Sequence, residues 1–544
     1  MSIGQENGSR LTAKLPLALL ILVLLLGAGL RLFFFDADLA RSPDERVYTR
    51  QADVVLAQGV DGFHLLGDEL ARDPAAVAIY PSPMRIGYLL PLVGFMRLTE
   101  DSSVLAGATF SLLCSMATML LVAFAADRFL SRTVAIIATL LLAVLPFDLV
   151  VSRRAWEESY ISLLIVAVLT LAAWLARRTV DRGLSEIAGY VALALLGVAC
   201  LTTKESAGAA FLLCAGGIAL HLFAHGERRA ALLTAVSALL AVLAYALALG
   251  SLFGGVGHAL VLTREDIHYS GINPYNVQYD SGPVWMFAAA LLRTSPFLGV
   301  FVLAGFSVTL YRAWQPRALT GTTRLRGIVA NAGLPLGIAL LTFAVLLLQA
   351  LTQRYSFRYT APVYGAACLL AAVGVAAAAG PLRRLCGPWT WGVLGCVFVL
   401  AAFRDVSFAR ERFLLPQMQD LALRPVLGVA PLPLPQATPE AAAPTAAELE
   451  ELVRTQPTAA NRINLSLAYI NGGQPAQAIP VLNAVVTEDQ GNSVAWNNLC
   501  VAHTMLKEYD EAITDCNRAL AIAPDFQLAA NNLHWAQQEQ AKAR

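Results

Sequence analysis

The sequence has few charged residues for its length. Of 544 residues, only 14% are Asp, Glu, Lys or Arg, whereas 57% are hydrophobic, and the mean hydropathy is +0.60. A soluble chain of this size needs a much larger charged surface, so the composition excludes a purely soluble enzyme. The net charge is +1 and no stripe of Lys and Arg occurs, so no nucleic-acid partner is expected.

Cysteine motifs for metal binding or redox chemistry are missing as well. The eight cysteines include no CxxC pair and no Cys/His spacing typical of zinc. Six of them lie in or beside apolar segments, where a free thiol behaves as a small hydrophobic residue. A cleavable signal peptide is not indicated either, because the first apolar run, residues 15–35, is too long and no small-x-small cleavage site follows. We expect this run to be a retained helix with its N-terminus in the cytoplasm.

Long apolar segments dominate the chain up to about residue 400. A helix of roughly 18 to 25 apolar residues crosses the hydrocarbon core of a membrane, which is about 30 Å thick. About eleven segments are predicted to do so. They are residues 15–35, 103–125, 134–150, 158–176, 186–202, 206–223, 230–252, 295–312, 328–350, 361–380 and 389–403. The sequence therefore predicts an all-α, polytopic membrane domain.

Arginine is concentrated in alternate connections between these segments. The sequences ADRFLSRT, ARRTVDRG, HGERRA, YRAWQPRALTGTTRLRG and GPLRRL each contain at least two arginines. By the positive-inside rule these connections face the cytoplasm, so the other connections and the C-terminus lie outside. We expect a protein of the cytoplasmic (inner) membrane with an extracytoplasmic tail.

The C-terminal part of the chain has the composition of a soluble protein. A linker rich in Pro and Ala, residues 416–450, is predicted to be extended and separates a membrane domain at 1–415 from a soluble domain at 451–544. Residues 493–526 resemble a tetratricopeptide repeat (TPR), a 34-residue helix–turn–helix unit. A looser repeat precedes them and a partial capping helix begins near Gln527. This small TPR α-solenoid either stabilises the chain or holds a partner protein or the acceptor on its concave surface.

Cys500 and Cys516 fall on the two helices of the stronger repeat, at positions that face each other. In an extracytoplasmic tail they are able to form a disulfide. Two buried free thiols are the other interpretation, and the sequence leaves both open.

Two adjacent carboxylates, Asp44 and Glu45, follow the first apolar segment closely, in SPDERVYTRQA. SPDE is also a good helix start, with Ser42 as N-cap, Pro43 in the first turn and Glu45 as the capping-box partner. Other outward connections carry further ionisable residues, and cations there run against the positive-inside bias, so we expect them to pair with acids or an anion. These residues are Arg153, Arg154, Glu157, Glu158, Lys204, Arg354 and Arg358. Together they suggest a site for an anionic ligand, such as a lipid phosphate, at the extracytoplasmic face.

These residues carry a family resemblance. The first helix ending in GLRLFFF, the motifs DERVYTRQA and YPSPMRIGYLLPLVGFMRL, and then SRRAWEES, LTTKES and RYTAP resemble, in this order and spacing, the integral-membrane glycosyltransferases of the GT-C fold. The similarity covers about residues 10–410 and is greatest to the protein O-mannosyltransferase and lipid A aminoarabinose transferase group. It implies transfer of a hexose or pentose from a polyprenyl-phosphate donor to a glycan, lipid or protein acceptor, with inversion, at the extracytoplasmic face.

The resemblance also implies roles for the ionisable residues. Asp44 would be the general base that takes the acceptor proton, with Glu45 as the alternate base. Glu158 would orient acceptor or sugar hydroxyls, with Glu157 beside it. The cations expected to stabilise the leaving phosphate are Arg153, Arg154, Lys204, Arg354 and Arg358. Related oligosaccharyltransferases hold a divalent metal with such acids, but the second outward loop lacks a clear DxD motif, so no metal or other cofactor is predicted.

Three other functions are considered. An O-antigen ligase or oligosaccharide transferase would use a polyprenyl diphosphate donor. A transporter would place its ionisable residues near the bilayer midplane, whereas here they cluster toward one membrane face. A TPR scaffold anchored in the membrane would not need eleven spans. The sequence therefore favours the monophosphate-dependent glycosyltransferase.

Overall fold

The structure is a computed structural model of the chain. It describes residues 3–35, 42–72, 77, 81–177, 184–272, 279, 282–314, 337–347, 357–411, 424, 427–430, 445–523 and 526–543. All regular secondary structure in these ranges is helical, which confirms the predicted all-α class. The chain divides into two compact units, Met1–Leu434 and Pro435–Arg544.

The first unit, here named the membrane unit, contains helices α1 to α17. They are α1 (Ile3–Phe33), α2 (Pro43–Gln58), α3 (Val60–Arg72), α4 (Ile86–Thr99), α5 (Val104–Phe129), α6 (Arg132–Ala143), α7 (Pro146–Val151), α8 (Glu158–Arg177), α9 (Leu184–Thr203), α10 (Glu205–Ala224), α11 (Arg228–Leu252), α12 (Val256–Ile272), α13 (Val284–Thr294), α14 (Pro296–Trp314), α15 (Gly337–Leu347), α16 (Tyr364–Cys386) and α17 (Thr390–Ala409). A 3-10 helix, Phe357–Val363, precedes α16.

Seven stretches within the described ranges are long and apolar enough to cross a membrane. They are Pro16–Phe33, Val104–Phe129, Glu158–Ala176, Leu184–Thr203, Glu205–Ala224, Arg228–Leu252 and Thr360–Ala409. The last stretch contains two helices, α16 and α17. Shorter apolar helices lie in three other predicted spans, at Arg132–Ala143, Pro296–Arg312 and Gly337–Leu347; residues 328–336 and 348–350 fall outside the described residues. The chain is therefore a multi-pass membrane protein.

The core of the membrane unit lies between closely packed helices. α5 packs against α6 and α8, α6 packs against α1 and α16, and α14 packs against α16. Glycine makes the last contact possible, because a Cβ on Gly305 would lie 2.0 Å from the carbonyl oxygen of Leu370. Small residues let helix backbones approach closely inside a membrane, and the packed bundle holds the helix ends in fixed relative positions.

The segment between α6 and α8 folds back into the protein. The apolar run is predicted to span to residue 150, but α6 ends at Ala143, and Pro146 occupies the first turn of the six-residue helix α7. The residues that follow are buried, including Arg153 and Arg154. The apolar run is therefore split, and its second part leads into charged residues enclosed by the bundle.

Helices α2 and α3 form a separate apolar layer with α4. Ser42 caps α2 and Glu45 closes the capping box, which confirms the helix start predicted from SPDE. Tyr48, Phe63 and Leu89 are buried in this layer. The cap fixes where α2 begins, and it therefore fixes the positions of the two acids in its first turn.

The second unit, here named the TPR unit, is a row of antiparallel helices. They are α18 (Ala446–Thr455), α19 (Ala459–Asn471), α20 (Pro475–Glu488), α21 (Ser493–Met505), α22 (Tyr509–Ile522) and α23 (Gln527–Ala543). Leu465, Ala478 and Leu499 are buried between them. Cys500 of α21 and Cys516 of α22 form a disulfide, with Cα atoms 5.3 Å apart.

Candidate active site

Ionisable residues from separate parts of the membrane unit meet at one end of the helix bundle. The acids come from the first turn of α2 and from the segment that leads into α8, and the cations come from four different connections. This group, here named the charge cluster, comprises Asp44, Glu45, Arg85, Arg154, Glu157, Glu158, Lys204 and Arg358. Arg153, next to Arg154 of the cluster, bonds to Phe34 just after the end of α1, so the cluster lies at the end of the bundle opposite the N-terminus of α1.

Glu45 is held on both of its carboxylate oxygens. Its Oε1 accepts from the backbone N–H of Ala155 at 3.0 Å, and its Oε2 accepts from Arg154 at 2.9 Å and from the N–H of Ser42 at 2.7 Å. The side chain is 0% exposed. Glu45 therefore fastens α2 to the buried segment before α8.

Lys204 lies between the neighbouring carboxylates Glu157 and Glu158. Its Nζ is 2.6 Å from Glu157 Oε1 and 3.1 Å from Glu158 Oε1, and Glu157 Oε1 also accepts from Arg85 at 2.7 Å. Within the described part of the chain, neither Oε2 atom has a hydrogen-bond partner although both are buried. Buried polar atoms of this kind are uncommon in folded proteins and point to a bound ligand or water.

The contacts between Glu157 and Lys204 keep both of these groups charged. Burial raises the pKa of Glu157, but the charges of Lys204, Arg85 and Arg358 together lower it more, and the pKa lies well below its ordinary value. Burial lowers the pKa of Lys204, and the two carboxylates outweigh this effect, so the pKa is raised. The Glu157–Lys204 ion pair therefore persists throughout the neutral pH range.

Arg358 joins the two acidic motifs. Its Nη1 donates to Asp44 Oδ2 at 2.6 Å, and its Nε donates to Glu158 Oε1 at 3.1 Å. Its guanidinium carbon lies 4.1 Å from the centre of the Trp156 ring. The side chain of Asp44 is 30% exposed, whereas those of Glu45, Glu157 and Glu158 are fully buried. Asp44 is therefore the acid of the cluster that a ligand reaches first.

Two of the predicted cations, Arg153 and Arg354, are not among the residues of the charge cluster. Arg153 is buried and donates from Nη1 to the carbonyl of Phe34, at the end of α1, at 3.1 Å. Arg354 falls outside the described residues. Arg153 thus fastens the segment before α8 to the first helix.

Sequence reasoning missed three members of the site: Arg85, Tyr48 and Trp156. Arg85 donates to Glu157 and to the hydroxyl of Tyr48. Arg85 lies in the sequence YPSPMRIGY. It is a cation in a connection predicted to face outward, which is the same signal that Arg358 gave. Trp156 gave no distinct signal, because an aromatic residue beside a membrane helix is usually part of the interfacial belt.

A second buried ion pair supports the segment that carries half of the cluster. Arg31, near the end of α1, pairs with Asp148 of α7, and both side chains are 0% exposed. Arg31 also donates from Nε to Ser115 of α5 at 2.6 Å and from Nη2 to the carbonyl of Leu142 at 3.1 Å. These bonds tie α1, α5, α6 and α7 together immediately before the cluster.

The buried acids of the charge cluster bind cationic side chains. Magnesium, manganese and calcium take several oxygen ligands, whereas the acids here already bind the side chains of Lys204, Arg85, Arg154 and Arg358.

Comparison with solved structures identifies the fold. The oligosaccharyltransferase of Archaeoglobus fulgidus, solved with a tethered acceptor peptide, matches over 75% of this chain and 56% of its own, with 12% identity and a TM-score of 0.51. Oligosaccharyltransferase AglB from the same organism, in complex with an inhibitory peptide and a dolichol-phosphate, matches over 74% and 56%, with 13% identity and a TM-score of 0.50. Both are glycosyltransferases of the GT-C class. The chain has the GT-C fold.

The GT-C fold confirms the resemblance drawn from the sequence motifs. The chain spans about 56% of the length of the archaeal enzymes. ArnT from Cupriavidus metallidurans, solved bound to undecaprenyl phosphate, matches over 95% of this chain and 77% of its own, with 16% identity and a TM-score of 0.43. Residues 493–526 match the tetratricopeptide repeat family, as predicted. No curated protein sequence matches the chain.

Proposed function

We propose that this GT-C protein transfers a sugar from a polyprenyl-phosphate donor to a hydroxyl or amine acceptor, with inversion at the anomeric carbon. The observation that carries the proposal is the contact of Asp44 with Arg358, 314 residues apart in the sequence, at the accessible edge of the charge cluster. Acceptor and leaving phosphate attach to opposite sides of one carbon atom, so a base and a phosphate-binding cation have to belong to the same site. The dolichol-phosphate bound by the archaeal neighbour supports a lipid phosphate as the donor class.

Asp44 is the general base of the proposed reaction. The acceptor oxygen or nitrogen bonds to the anomeric carbon while the bond from that carbon to the phosphate oxygen breaks. The acceptor proton passes to Asp44, and the electron pair of the broken bond leaves with the phosphate. Proton transfer to a positioned base is typically worth about 10²–10⁴-fold in rate. Glu45, predicted as the alternate base, does not suit this role because both of its oxygens are buried and bonded.

Arg358 provides the positive charge for the leaving phosphate, with Lys204 and Arg154 behind it in the cluster. A phosphate is already a weak base, so fixed positive charge stabilises its departure better than a general acid would. The Nη1 group that donates to Asp44 at 2.6 Å cannot at the same time donate along the same direction to a phosphate. In this proposal donor binding draws Arg358 from Asp44 to the phosphate and frees Asp44 for the acceptor, so the donor binds first.

Glu158 orients the sugar in this proposal. Its Oε1 is committed to Lys204 and Arg358, and its Oε2 has no partner within the described part of the chain. A hydroxyl of the donor sugar or of the acceptor would satisfy that oxygen. The sugar is a hexose or pentose, the acceptor is a glycan, lipid or protein, and the TPR unit holds a partner protein or the acceptor.

We place the site at the extracytoplasmic face of the cytoplasmic membrane. The charge cluster lies at the end of the bundle opposite the N-terminus of α1, whereas the arginine-rich connections follow α5, α10 and α16 at the other end. Nucleotide sugars are not available outside the cytoplasm, so a lipid-linked donor suits this placement. The bias of Arg toward the cytoplasm supports the orientation.

The adjacent residues Asp44 and Glu45 give a matched pair of variants for testing the function. Transfer is measured in membranes from radiolabelled polyprenyl-phosphate sugars, with a hexose and a pentose series. Asp44→Asn should lower kcat by about 10²–10⁴-fold with little effect on thermal stability, whereas Glu45→Gln should lower thermal stability because it breaks a buried pair with Arg154. If Asp44→Asn transfers sugar at the wild-type rate, Asp44 is not the base. If the wild type transfers sugar from none of these donors, the proposed function is rejected.

A further inference from the structure

Two guanidinium groups lie near the indole ring of Trp156, which is 1% exposed. The guanidinium carbon of Arg358 is 4.1 Å from the ring centre, and that of Arg154 is 5.6 Å from it. Both distances fall within the range of cation–π attraction, which is strongest for Trp and increases when the pair is desolvated. The proposed mechanism assigns no role to this residue.

An aromatic ring holds a guanidinium in a way that a carboxylate does not. The attraction acts on the flat face of the cation and leaves the N–H groups at its edge available for hydrogen bonds. Arg358 uses that edge to bond Asp44 and Glu158 at 2.6 and 3.1 Å. A cation held only by those two acids would lose its position when it released one of them, whereas one resting on the ring keeps a contact while its hydrogen bonds change.

The indole N–H of Trp156 reaches the start of the helix that carries Asp44. Its Nε1 donates to Ser42 Oγ at 3.2 Å, and Ser42 is the N-cap of α2, two residues before Asp44. The backbone of Trp156 is fixed as well, since its carbonyl accepts from Ser111 of α5 at 2.9 Å. One buried side chain therefore contacts both the start of the helix that bears the base and the phosphate-binding cation.

We propose that Trp156 is a positioning residue whose ring face supports Arg358 as that cation moves between Asp44 and the donor phosphate. This inference rests on the proposed function. Trp156 touches neither substrate; it acts through Arg358 on phosphate binding and through Ser42 on the position of Asp44. If Trp156 merely filled the core, phosphate binding would depend on the volume of its side chain and would not change with the electron density of its ring.

The test replaces Trp156 with a series of tryptophans carrying one to four ring fluorines, which weaken the cation–π attraction stepwise with little change in shape. Binding of undecaprenyl phosphate to the purified full-length protein in nanodiscs is measured for each member. The logarithm of Kd should rise in proportion to the loss of calculated cation-binding energy of the ring. The total increase should reach about two- to thirty-fold, the range that measured cation–π strengths imply. Trp156→Leu should lie at the weak end, and Trp156→Phe should lie between Leu and the wild type.

One control tests the hydrogen bond of the ring N–H, and another tests a cation–π contact far from the site. Fluorine also changes the N–H that donates to Ser42, so the series is repeated with Ser42→Ala, where the same slope is expected. Phe129→Leu removes a matched contact, Arg128 over Phe129 at 5.9 Å. That contact lies 18 residues along α5 from Ser111, about 27 Å away, and its loss should leave Kd unchanged.

The outcomes are distinguishable. A flat Kd across the fluorinated series, with Trp156→Leu affecting only thermal stability, would overturn the role of Trp156 and leave the proposed function standing. Failure of the wild type to bind undecaprenyl phosphate would reject the donor class itself, and with it the role of Trp156. A slope that depends on ring electron density supports the proposal.

Discussion

Replacing Lys204 by methionine tests the charge cluster directly. Methionine keeps most of the apolar volume of the lysine side chain and removes the ammonium. In the wild type that ammonium lies 2.6 Å from Glu157 Oε1 and 3.1 Å from Glu158 Oε1. The substitution leaves two neighbouring buried carboxylates, each still close to one cation, Arg85 or Arg358.

The size of the effect follows from burial. Removing one partner of a buried ion pair typically destabilises a protein by about 3–5 kcal/mol. The lower end, about 3 kcal/mol, is expected for Lys204→Met because each acid keeps another cation. With an unfolding entropy of about 2.1 cal/mol/K per residue over residues 1–434, this loss corresponds to a fall in Tm of about 3 °C.

The pH dependence of Tm gives the sharper signature. In the wild type the pKa of Glu157 is lowered below its ordinary value of 4.5, so its contribution to stability is present above that value and is lost only as the pH falls through the lower folded pKa. Between about pH 5 and pH 8 this residue should give no slope. In Lys204→Met we expect burial, the largest influence on this pKa, to outweigh the two remaining cations Arg85 and Arg358, so that the folded form binds a proton more readily than the unfolded form. The Tm of Lys204→Met should therefore rise as the pH falls from about 7 to about 5.

Thermal unfolding of the full-length protein in nanodiscs, followed by tryptophan fluorescence over this pH range, measures both effects. The double variant Lys204→Met/Glu157→Gln has one buried acid fewer, so it should recover part of the lost Tm and lose the pH slope. A Lys204→Met protein with the wild-type Tm and no slope would refute the reasoning, because a buried carboxylate pair cannot lose its shared cation without cost.

The remaining predictions concern the metal and the TPR unit. Transfer should be unchanged by a chelator such as EDTA, measured in the same radiolabel assay, because lysine and arginine side chains hold the acids of the cluster; loss of transfer restored by a divalent metal would contradict this. Burial raises the pKa of Asp515 to about 6, although His503 and Arg518 lower it. Its folded pKa thus exceeds its unfolded one, so hydrogen-exchange protection of α21 and α22 should increase as the pH falls from about 7 to about 5; Asp515→Asn should abolish the increase, and an unchanged increase would exclude this residue. Reducing the Cys500–Cys516 disulfide, separated by 16 residues, should lower the stability of the TPR unit by about 3 kcal/mol, seen as faster exchange of the same amides; unchanged exchange would mean that the bond does not constrain the unfolded chain.

Much of the fold could be predicted because its determinants are local. Span length, the SPDE helix start and the TPR spacing each depend on neighbouring residues, and the structure contains the corresponding helices. The split of the run at 134–150 could not be predicted in the same way. Its apolar composition suits a spanning helix and a short buried helix equally, and only packing against α1 and α16 decides between them.

The sequence singled out most of the ionisable residues of the charge cluster but not Arg85, and it gave no signal for the uncharged residues Tyr48 and Trp156. Lys204, Glu158 and Arg358 were chosen because ionisable residues at a membrane surface need partners, and they contact one another. The roles of Asp44 and Glu45 could not be separated, because neighbouring residues on a helix point about 100° apart and the sequence does not show which side faces the protein. Their burial separates them in the structure, 30% exposed for the first and 0% for the second.

The charge cluster makes folding and assembly of the site a single event. Its contacts join residues 46 to 314 positions apart, so each ion pair forms only when the two elements that carry it have docked, and the whole cluster forms only when α2, α8, α10 and α16 are all in place. Buried pairs of this kind often contribute less stability than apolar residues would, yet losing one partner is costly. Substitutions at Glu45, Glu157 or Glu158 should therefore impair folding and transfer together, and their loss of activity would not identify a chemical role. Asp44 is different because its contact with Arg358 lies at the exposed edge, where solvent compensates for its loss. It is the acid of the cluster at which loss of transfer without loss of stability can be read as chemistry.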